Sequence, residues 1–302
     1  MDDRSVKGAS DHIFQTIIII VLTILLLCAV LPFILLVSSS FSDEAQLMQK
    51  GYGFIPKNFT VYAYKYLFVM NKDSVFRAYG ITFFVTIVGT IVSLLVGPML
   101  AWPLSRADFP RARALTFVVF FTMLFNGGIV AQYIMYTSIF HIRNTLFAYL
   151  MPNMLFNGFY IILYKNNFSS NIHPTLVEAA RLDGAGEFYI YRKIVLPLSL
   201  PILATIGLMT GIGYWNDWTN GLYYINNTNL YSLQVLLNNM MQNMRALVSM
   251  SSGVGTDLGI SELPSISIRM AIAVIGTIPI MVLYPFFQKA FIAGIALGGV
   301  KE

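Results

Sequence analysis

Side chains able to do covalent or metal chemistry are thinly spread in this sequence. His12, His141 and His173 lie in three separate polar stretches, and none has a second ligand at helical spacing, so the pattern supplies neither a metal centre nor a catalytic acid–base pair. Cys28 is the only cysteine and sits in an apolar run, which rules out an internal disulfide and a thiolate cluster. No G-x4-G-K-[ST] phosphate loop occurs, so the chain has no recognisable means of cradling a nucleotide. The chemistry that remains is non-covalent. It concentrates in residues 171–201, N-I-H-P-T-L-V-E-A-A-R-L-D-G-A-G-E-F-Y-I-Y-R-K-I-V-L-P-L-S-L-P, a polar stretch between two apolar runs that are each long enough to cross a bilayer. Within it Glu178 offers a charge, and its small neighbours Ala179 and Ala180 let another surface approach the backbone closely.

The local pattern of this stretch predicts helix, turn, helix. Pro174 suits a first helical turn, where its missing N–H costs nothing, and Leu176, Val177 and Ala180 then share a face. Gly184 is the expected stop, because glycine tolerates the left-handed conformation that closes many helices. A second short helix from about Glu187 carries Phe188, Tyr191 and Ile194 before Pro197 and Pro201 lead into the next apolar run.

The elements that must position this loop follow from composition. With 57% apolar and 11% charged residues, a chain of 302 residues has too few charges to cover a soluble globule, and its mean hydropathy is +0.69. The net charge of +5 is spread over several loops without interleaved aromatic residues, so nucleic-acid binding has little support. After a polar tail, residues 1–12, six membrane spans are expected at about 13–37, 78–104, 114–136, 145–164, 199–222 and 269–287, with a loop at 165–198. The first is too long for the core of a secretory signal. Gly97-Pro98 and Trp102-Pro103 predict a kink or early end in the second. The short segment 105–113 carries Arg106, Arg111 and Arg113 against Asp108, which marks the cytoplasmic side and, by counting spans, puts loop 165–198 and both termini there.

Several stretches admit two readings. Aromatic residues in segment 38–75 suit a membrane-interface belt. Asn126-Gly127-Gly128 interrupts the third span, and an irregular backbone at that depth should face protein or a water-filled cavity, which makes Asn126 a candidate path residue. Tyr214, Trp215, Asn216 and Asp217 either sit at the outer interface or form a polar wall of a transport path, since aromatic faces and amides suit a neutral, hydroxyl-rich ligand. Between 223 and 268, Leu230, Leu233, Leu237, Met240 and Met244 repeat as one face of a short amphipathic helix, and 249–259 looks flexible. An ion-driven transporter or channel is the competing class. It commonly places ionisable groups within its spans, whereas these spans carry almost none apart from Asp217, and no inverted repeat is evident.

E-A-A-x3-G followed by I-x-L-P, read here as Glu178, Ala179, Ala180, Gly184, Ile194, Leu196 and Pro197, resembles the cytoplasmic coupling loop of binding-protein-dependent ABC import permeases. W-N-D-W at 215–218, S-I-R-M-A at 267–271 and Y-P-F-F-Q-K-x-F before a terminal G-G-V-K are similar to the carbohydrate branch of that family, which includes the maltose importer's shorter membrane subunit and Gram-positive oligosaccharide and polysaccharide permeases. The resemblance implies an all-α polytopic membrane protein with six transmembrane helices and the type I importer permease fold. It implies a non-catalytic subunit in a bacterial plasma membrane, joined to a sister permease, an ATPase dimer that carries the ATP and Mg, an extracytoplasmic solute-binding protein and a carbohydrate substrate. Glu178, Ala179, Ala180, Arg181, Asp183 and Gly184 would then meet the ATPase, and Val300, Lys301 and Glu302 would reach it from the C-terminus. The outer loop 223–268 is longer than in maltose-type permeases, so their substrate contacts do not transfer. A helix gripped by the ATPase would pass its closure to the spans as a rigid-body movement.

Overall fold

The computed structural model describes residues 9–152, 155–253 and 265–299. The architecture is all-α; among the described residues, extended pairing is confined to one isolated bridge between Ser42 and Phe59. The chain divides into two compact units, Met1–Lys72 with Asn243–Thr277, and Asp73–Gln242 with Ile278–Glu302.

The first unit begins with helix α1, Ala9–Ser40. Its 32 residues span about 48 Å, more than the hydrocarbon core of a bilayer, and its large side chains from Ile13 to Ile34 are exposed on all sides. The end of α1 is tied by short polar contacts: Ser38 Oγ donates to the Gly53 carbonyl at 2.7 Å, and Ser40 Oγ shares a hydrogen bond with the Tyr64 hydroxyl at 2.8 Å. Phe41 stacks on Phe59 and Tyr64, with centroids 5.4 and 4.7 Å away, so part of the aromatic set read as an interface belt packs on itself. Helix α2, Glu44–Lys50, is capped by Asp43. Its Glu44 carboxylate accepts from Ile266 N at 2.8 Å and from Ser267 N and Oγ at 2.9 and 3.0 Å, which satisfies orphan donors at the start of the last helix, Ser265–Gly299.

In the second unit helix α3, Lys72–Ser105, runs through Pro98 and Pro103 without the expected early end. Two of its glycines admit tyrosine rings from other helices. A Cβ at Gly89 would lie 2.5 Å from the Tyr214 ring, and one at Gly97 would lie 3.1 Å from Tyr164. The predicted third span is two helices, α4 (Ala112–Leu124) and α5 (Gly128–Ile139), related by a bend of 113° at the Asn126-Gly127-Gly128 break, where Gly128 has φ +79°. The predicted fourth span is corrected more strongly. Among the described residues of 145–157 the one helix is the four-residue Phe147–Leu150, and α6 runs Gly158–Asn171, because Asn157 caps it by accepting from Phe159 N and Tyr160 N at 3.0 and 3.3 Å. Its 14 residues rise about 21 Å, short of a bilayer core.

Helix α7 (Pro174–Leu182) and α8 (Glu187–Leu198) follow, and α8 meets α9 (Leu200–Trp215) at a 79° bend. The fifth predicted span ends at Trp215 instead of 222, and a separate helix α10 occupies Thr219–Tyr224. The amphipathic helix read in segment 223–268 is longer than expected: α11 covers Leu233–Gly253 and takes in the first residues of the stretch read as flexible. Its Leu233, Val235 and Leu237 are buried. Among the described residues, two helices are thus long and apolar enough to cross a bilayer alone, Ile13–Ser40 and Lys72–Ser105, and two bent apolar pairs add to them.

Two clusters hold the second unit. One joins Trp102 of α3, Tyr164 and Phe168 of α6, Val177 of α7, Ile190 and Val195 of α8 and Ile206 of α9. The other gathers Val85, Tyr149, Tyr214, Tyr224 and Val235, and polar contacts reinforce it. Tyr149 OH donates to Leu230 O at 3.1 Å and accepts from Ser232 N at 3.0 Å, while Thr82 Oγ1 accepts from Leu233 N at 2.7 Å.

Glycines 80 and 89 share α3 but should respond oppositely to alanine. Gly80 has nothing within 4 Å of an added Cβ, so Gly80→Ala should gain about 0.5–1 kcal/mol in helix preference. Gly89→Ala should lose about 1–3 kcal/mol by driving the Tyr214 ring out of place. Thermal unfolding midpoints in detergent measure both, and equal shifts would contradict the packing described.

Candidate functional site

The motif stretch folds as its local chemistry dictates. His173 caps α7, its Nδ1 accepting from Thr175 N at 3.4 Å, and Pro174 fills the first turn. At the other end Gly184 N donates to Arg181 O at 3.0 Å and Ala185 N to Ala180 O at 2.9 Å, with Gly184 at φ +83°. This pair of bonds is a Schellman closure, and it is the reason a glycine stands there. Val177 is buried in the core cluster, and Ala180 and Ala185 pack against it, so the inner face of α7 is fixed.

A closed ring of four charges fixes the rest. Arg106 pairs with Asp108 and Glu187, and Arg181 Nη2 lies 3.1 Å from Asp108 Oδ2 and 2.9 Å from Glu187 Oε1. Positive and negative groups alternate round the ring, which clips segment 105–111 to both ends of the turn after α7. The Arg106 guanidinium also lies 5.7 Å above the Trp102 ring. Hydrogen bonding to Arg106 above all, and then to Arg181, holds the Asp108 carboxyl well below the usual carboxylate range, against the opposing effect of burial. Arg106 is shifted upward, chiefly by its bond to Asp108. Each such pair is partly exposed and individually worth about 0–1 kcal/mol; the shared partners are what make a network.

The outer face of α7 has no such engagement. Glu178 and Ala179 are exposed, and Glu178 forms no ion pair with the described residues. A pairing of Glu178 with Arg181, the simplest local alternative, is not formed, since Arg181 turns to Asp108 and Glu187. Leu182 is 89% exposed, and Leu176, Phe188 and Tyr189 also face outward. A cavity of about 400 Å³ opens beside this face, lined by Trp102, Asp108, Phe168, Val177, Glu178 and Arg181 among others. Asp183 and Gly184 are exposed at the tip. The arrangement presents an uncommitted carboxylate ringed by apolar side chains, which suits docking to a protein surface.

The candidate path residues do not form one wall. Tyr214 and Trp215 are each 2% exposed: the Tyr214 hydroxyl donates to Leu150 O at 2.9 Å, and Trp215 meets Phe83 edge-on at 5.1 Å. Asp217 is also buried, accepting from Asn220 N at 3.1 Å and Asn220 Nδ2 at 2.8 Å, so its carboxylate is engaged within the α9–α10 turn. Asn216 and Asn126 alone of the five are exposed; Asn126 Oδ1 accepts from Gly128 N at 2.9 Å and Gln132 Nε2 at 3.2 Å. A second cavity, about 500 Å³, lies between α3 and α9, but Thr86, Leu94, Leu203, Gly207 and Gly211 give it a nearly wholly apolar wall that offers a sugar little. Val300, Lys301 and Glu302 lie outside the described residues. Sequence reading missed Asp108 and Glu187 as the shared partners of Arg106 and Arg181; the only available signal was opposite charge in two separate polar segments.

Neutralising the ring at Arg181→Gln should speed amide exchange in peptides 105–113 and 180–188 together, by up to about fivefold for the loss of roughly 1 kcal/mol. Asp108 has a lowered folded value, so its contribution is complete above its ordinary value of 3.8 and is lost only as pH falls through the lower one. Exchange in the two peptides, corrected for intrinsic rate, should therefore stay constant from pH 7 to 5 and accelerate only in stronger acid. Gly184→Ala should weaken the turn by about 1–2 kcal/mol, the cost of a left-handed backbone for a residue with a Cβ, seen as faster exchange at 183–186.

A model of one family, the binding-protein-dependent transport system inner membrane component, matches residues 68–296. The polygalacturonan/rhamnogalacturonan transport system permease protein YtcP of Bacillus subtilis is 36% identical over 96% of this chain and 99% of its own length. Protein LplC of the same organism is 35% identical, over 90% of this chain and 89% of its own. The crystal structure of a bacterial ABC transporter involved in the import of the acidic polysaccharide alginate contains a chain with 29% identity and a TM-score of 0.75, over 94% of this chain and 98% of that one. A helical chain with apolar spans that matches this model over most of its length belongs to the family of inner membrane components of binding-protein-dependent ABC transport systems.

Proposed function

We propose that this chain is one of two permease subunits of an ATP-driven importer for carbohydrate, most suitably oligosaccharides, and that α7 is its contact with the ATPase. The observation that carries the reading is the two-sidedness of α7. Its inner face is locked by Val177 and the charge ring, and its outer face holds Glu178 unpaired beside exposed Leu176 and Leu182. The carbohydrate class is supported by the relatives above and by the arabinooligosaccharide transport system permease protein AraQ of Halalkalibacterium halodurans, 24% identical over 98% of this chain.

In this reading Glu178, Ala179, Ala180, Asp183 and Gly184 meet a cleft of the ATPase, and Arg181 serves them by holding the helix in place. The ATPase dimer binds ATP and Mg and does the hydrolysis; this subunit is non-catalytic. Closure of the dimer moves α7, and the ring and core pass that movement to α3, α6 and α9 as a rigid-body displacement. A sister permease completes the path, and a solute-binding protein delivers cargo from outside. Loop 165–198 and both termini lie in the cytoplasm, and Val300, Lys301 and Glu302 extend toward the ATPase. Asn126 and Asn216 remain candidates for the path because their amides are exposed. Six spans remain the proposed topology, with the bent α4–α5 pair as one passage; among the described residues, two single helices and two bent pairs have the length and apolarity for a passage each.

Purification of the tagged chain from native membranes in mild detergent should recover a second permease and an ATPase. Recovery of the chain alone, together with solute uptake into liposomes without ATP, would favour an ion-driven transporter. Glu178→Lys should weaken ATPase association by about 2–5 kcal/mol, roughly 30-fold or more, through an unpaired buried charge, and abolish ATP-dependent uptake while membrane insertion persists. Normal uptake by Glu178→Lys and Gly184→Pro would remove the coupling assignment.

A further inference from the structure

We propose that the basic concavity between the end of α3, the start of α4 and α6 holds the phosphate headgroup of an anionic phospholipid. This cavity of about 410 Å³ shares Ser105, Arg106 and Ala107 with the one beside Glu178, and its other walls include Leu104, Phe109, Pro110, Arg113, Thr116 and Lys165.

Charge accounting is the first argument. Segment 105–113 and the adjoining part of α6 bring together Arg106, Arg111, Arg113 and Lys165, and the single acid among them, Asp108, is already taken by Arg106 and Arg181. Arg111, Arg113 and Lys165 have no carboxylate in ion-pair range among the described residues. Lys165 is partly buried and forms part of the cavity wall. The hydroxyl of Thr116, another wall residue, is inaccessible and unpaired. The helix dipole of α4 makes the deficit worse. Its 13 residues start with no acid in the first turn and no side-chain cap, and Arg111 and Arg113 stand at its positive end. An anion seated there would relieve all of these at once.

The remaining walls select a lipid over a free anion. Leu104, Phe109, Pro110 and Ala112 make part of the cavity apolar, suited to a glycerol ester and the first methylenes of a chain. The cavity also lies where two apolar helices end, since α3 finishes at Ser105 and the exposed Leu115, Phe117 and Val118 of α4 follow directly. Basic pockets at this depth on the cytoplasmic side are where anionic headgroups gather. The proposal rests on the reading of 105–113 as a cytoplasmic interfacial segment.

The intact importer, purified in mild detergent, provides the test. Native mass spectrometry should show bound phosphatidylglycerol on the wild type, and Arg113→Gln with Lys165→Gln should lower that occupancy roughly 25-fold, about a factor of five for each cation near the surface. Arg113→Lys with Lys165→Arg should keep it, and phosphatidylethanolamine retention should not change in any variant. A photoreactive phosphatidylglycerol on the wild type, which needs no variant to fold, should label peptides 104–116 and 160–168 with the ATPase in place. Equal phosphatidylglycerol on wild type and the double glutamine variant, or labelling elsewhere, would overturn the proposal. Displacement of the lipid by millimolar glycerol phosphate would assign the same phosphate chemistry to a soluble anion instead. Labelling that requires removal of the ATPase would mean that a protein surface fills the cavity. Absence of any ATPase from the purified material would count against the coupling reading alone and leave the lipid measurements interpretable.

Discussion

A helix proposed to pass movement from one protein to another must be held on one side as firmly as it would be gripped on the other. In this chain the holding side of Pro174–Leu182 combines a buried aliphatic contact at Val177 with a ring of four alternating charges, Arg106, Asp108, Arg181 and Glu187. The two contributions do different work. Apolar burial is non-directional and supplies most of the stability, whereas the ring fixes orientation, because each guanidinium reaches two carboxylates and neither loop can swing without breaking two pairs. The ring is partly exposed, so solvent screens it, and its value lies in geometry more than in free energy.

Rigidity of this kind would be wasted if the helices behind it were loose. The inner cluster runs without interruption from Trp102 through Tyr164 and Phe168 to Ile190, Val195 and Ile206, so the helices that meet α7 share one packed core. Glycine at 89 and 97 lets tyrosine rings replace side chains at the helix surface, giving close approach where lipid supplies no hydrophobic drive for helices to associate. The bends of 113° and 79° fall where the sequence removes helix continuity, at Asn126-Gly127-Gly128 and at Ser199 between Pro197 and Pro201.

The fate of the polar residues near the membrane shows how the fold disposes of groups that would otherwise be costly. Asp217 is satisfied by the backbone and side chain of Asn220, a local solution three residues away. Tyr214 and Tyr149 each bury a large ring and direct the hydroxyl to a backbone carbonyl. These groups stabilise turns and helix crossings, whereas Asn126 and Asn216 are exposed. Arg111, Arg113 and Lys165 have no comparable internal partner among the described residues, and the partner proposed for them lies outside the chain.

Much of this protein was legible in the sequence because it depends on near neighbours. Helix class and membrane residence follow from composition; the start of α7 at Pro174, its closure at Gly184 and the restart at Glu187 follow from capping and turn chemistry within a few residues. The polar stretch around Glu178 was therefore readable as helix, turn, helix before any packing was known. Tertiary structure decided what depends on distant partners. Whether Arg181 answered Glu178 or a loop 73 residues away was fixed by the packing that brings Asp108 beside it. Tyr214, Trp215 and Asp217 could be read either as an outer interface or as a polar wall because sequence shows chemical type and not which side of a helix is covered; packing against Gly89 and the bonds from Asn220 place Tyr214 and Asp217 inside. The fourth span was misplaced for a similar reason. An apolar run from 145 to 164 has the composition of a membrane helix, yet a cap at Asn157 starts the helix late, and periodicity alone does not weigh a local cap against a long apolar run.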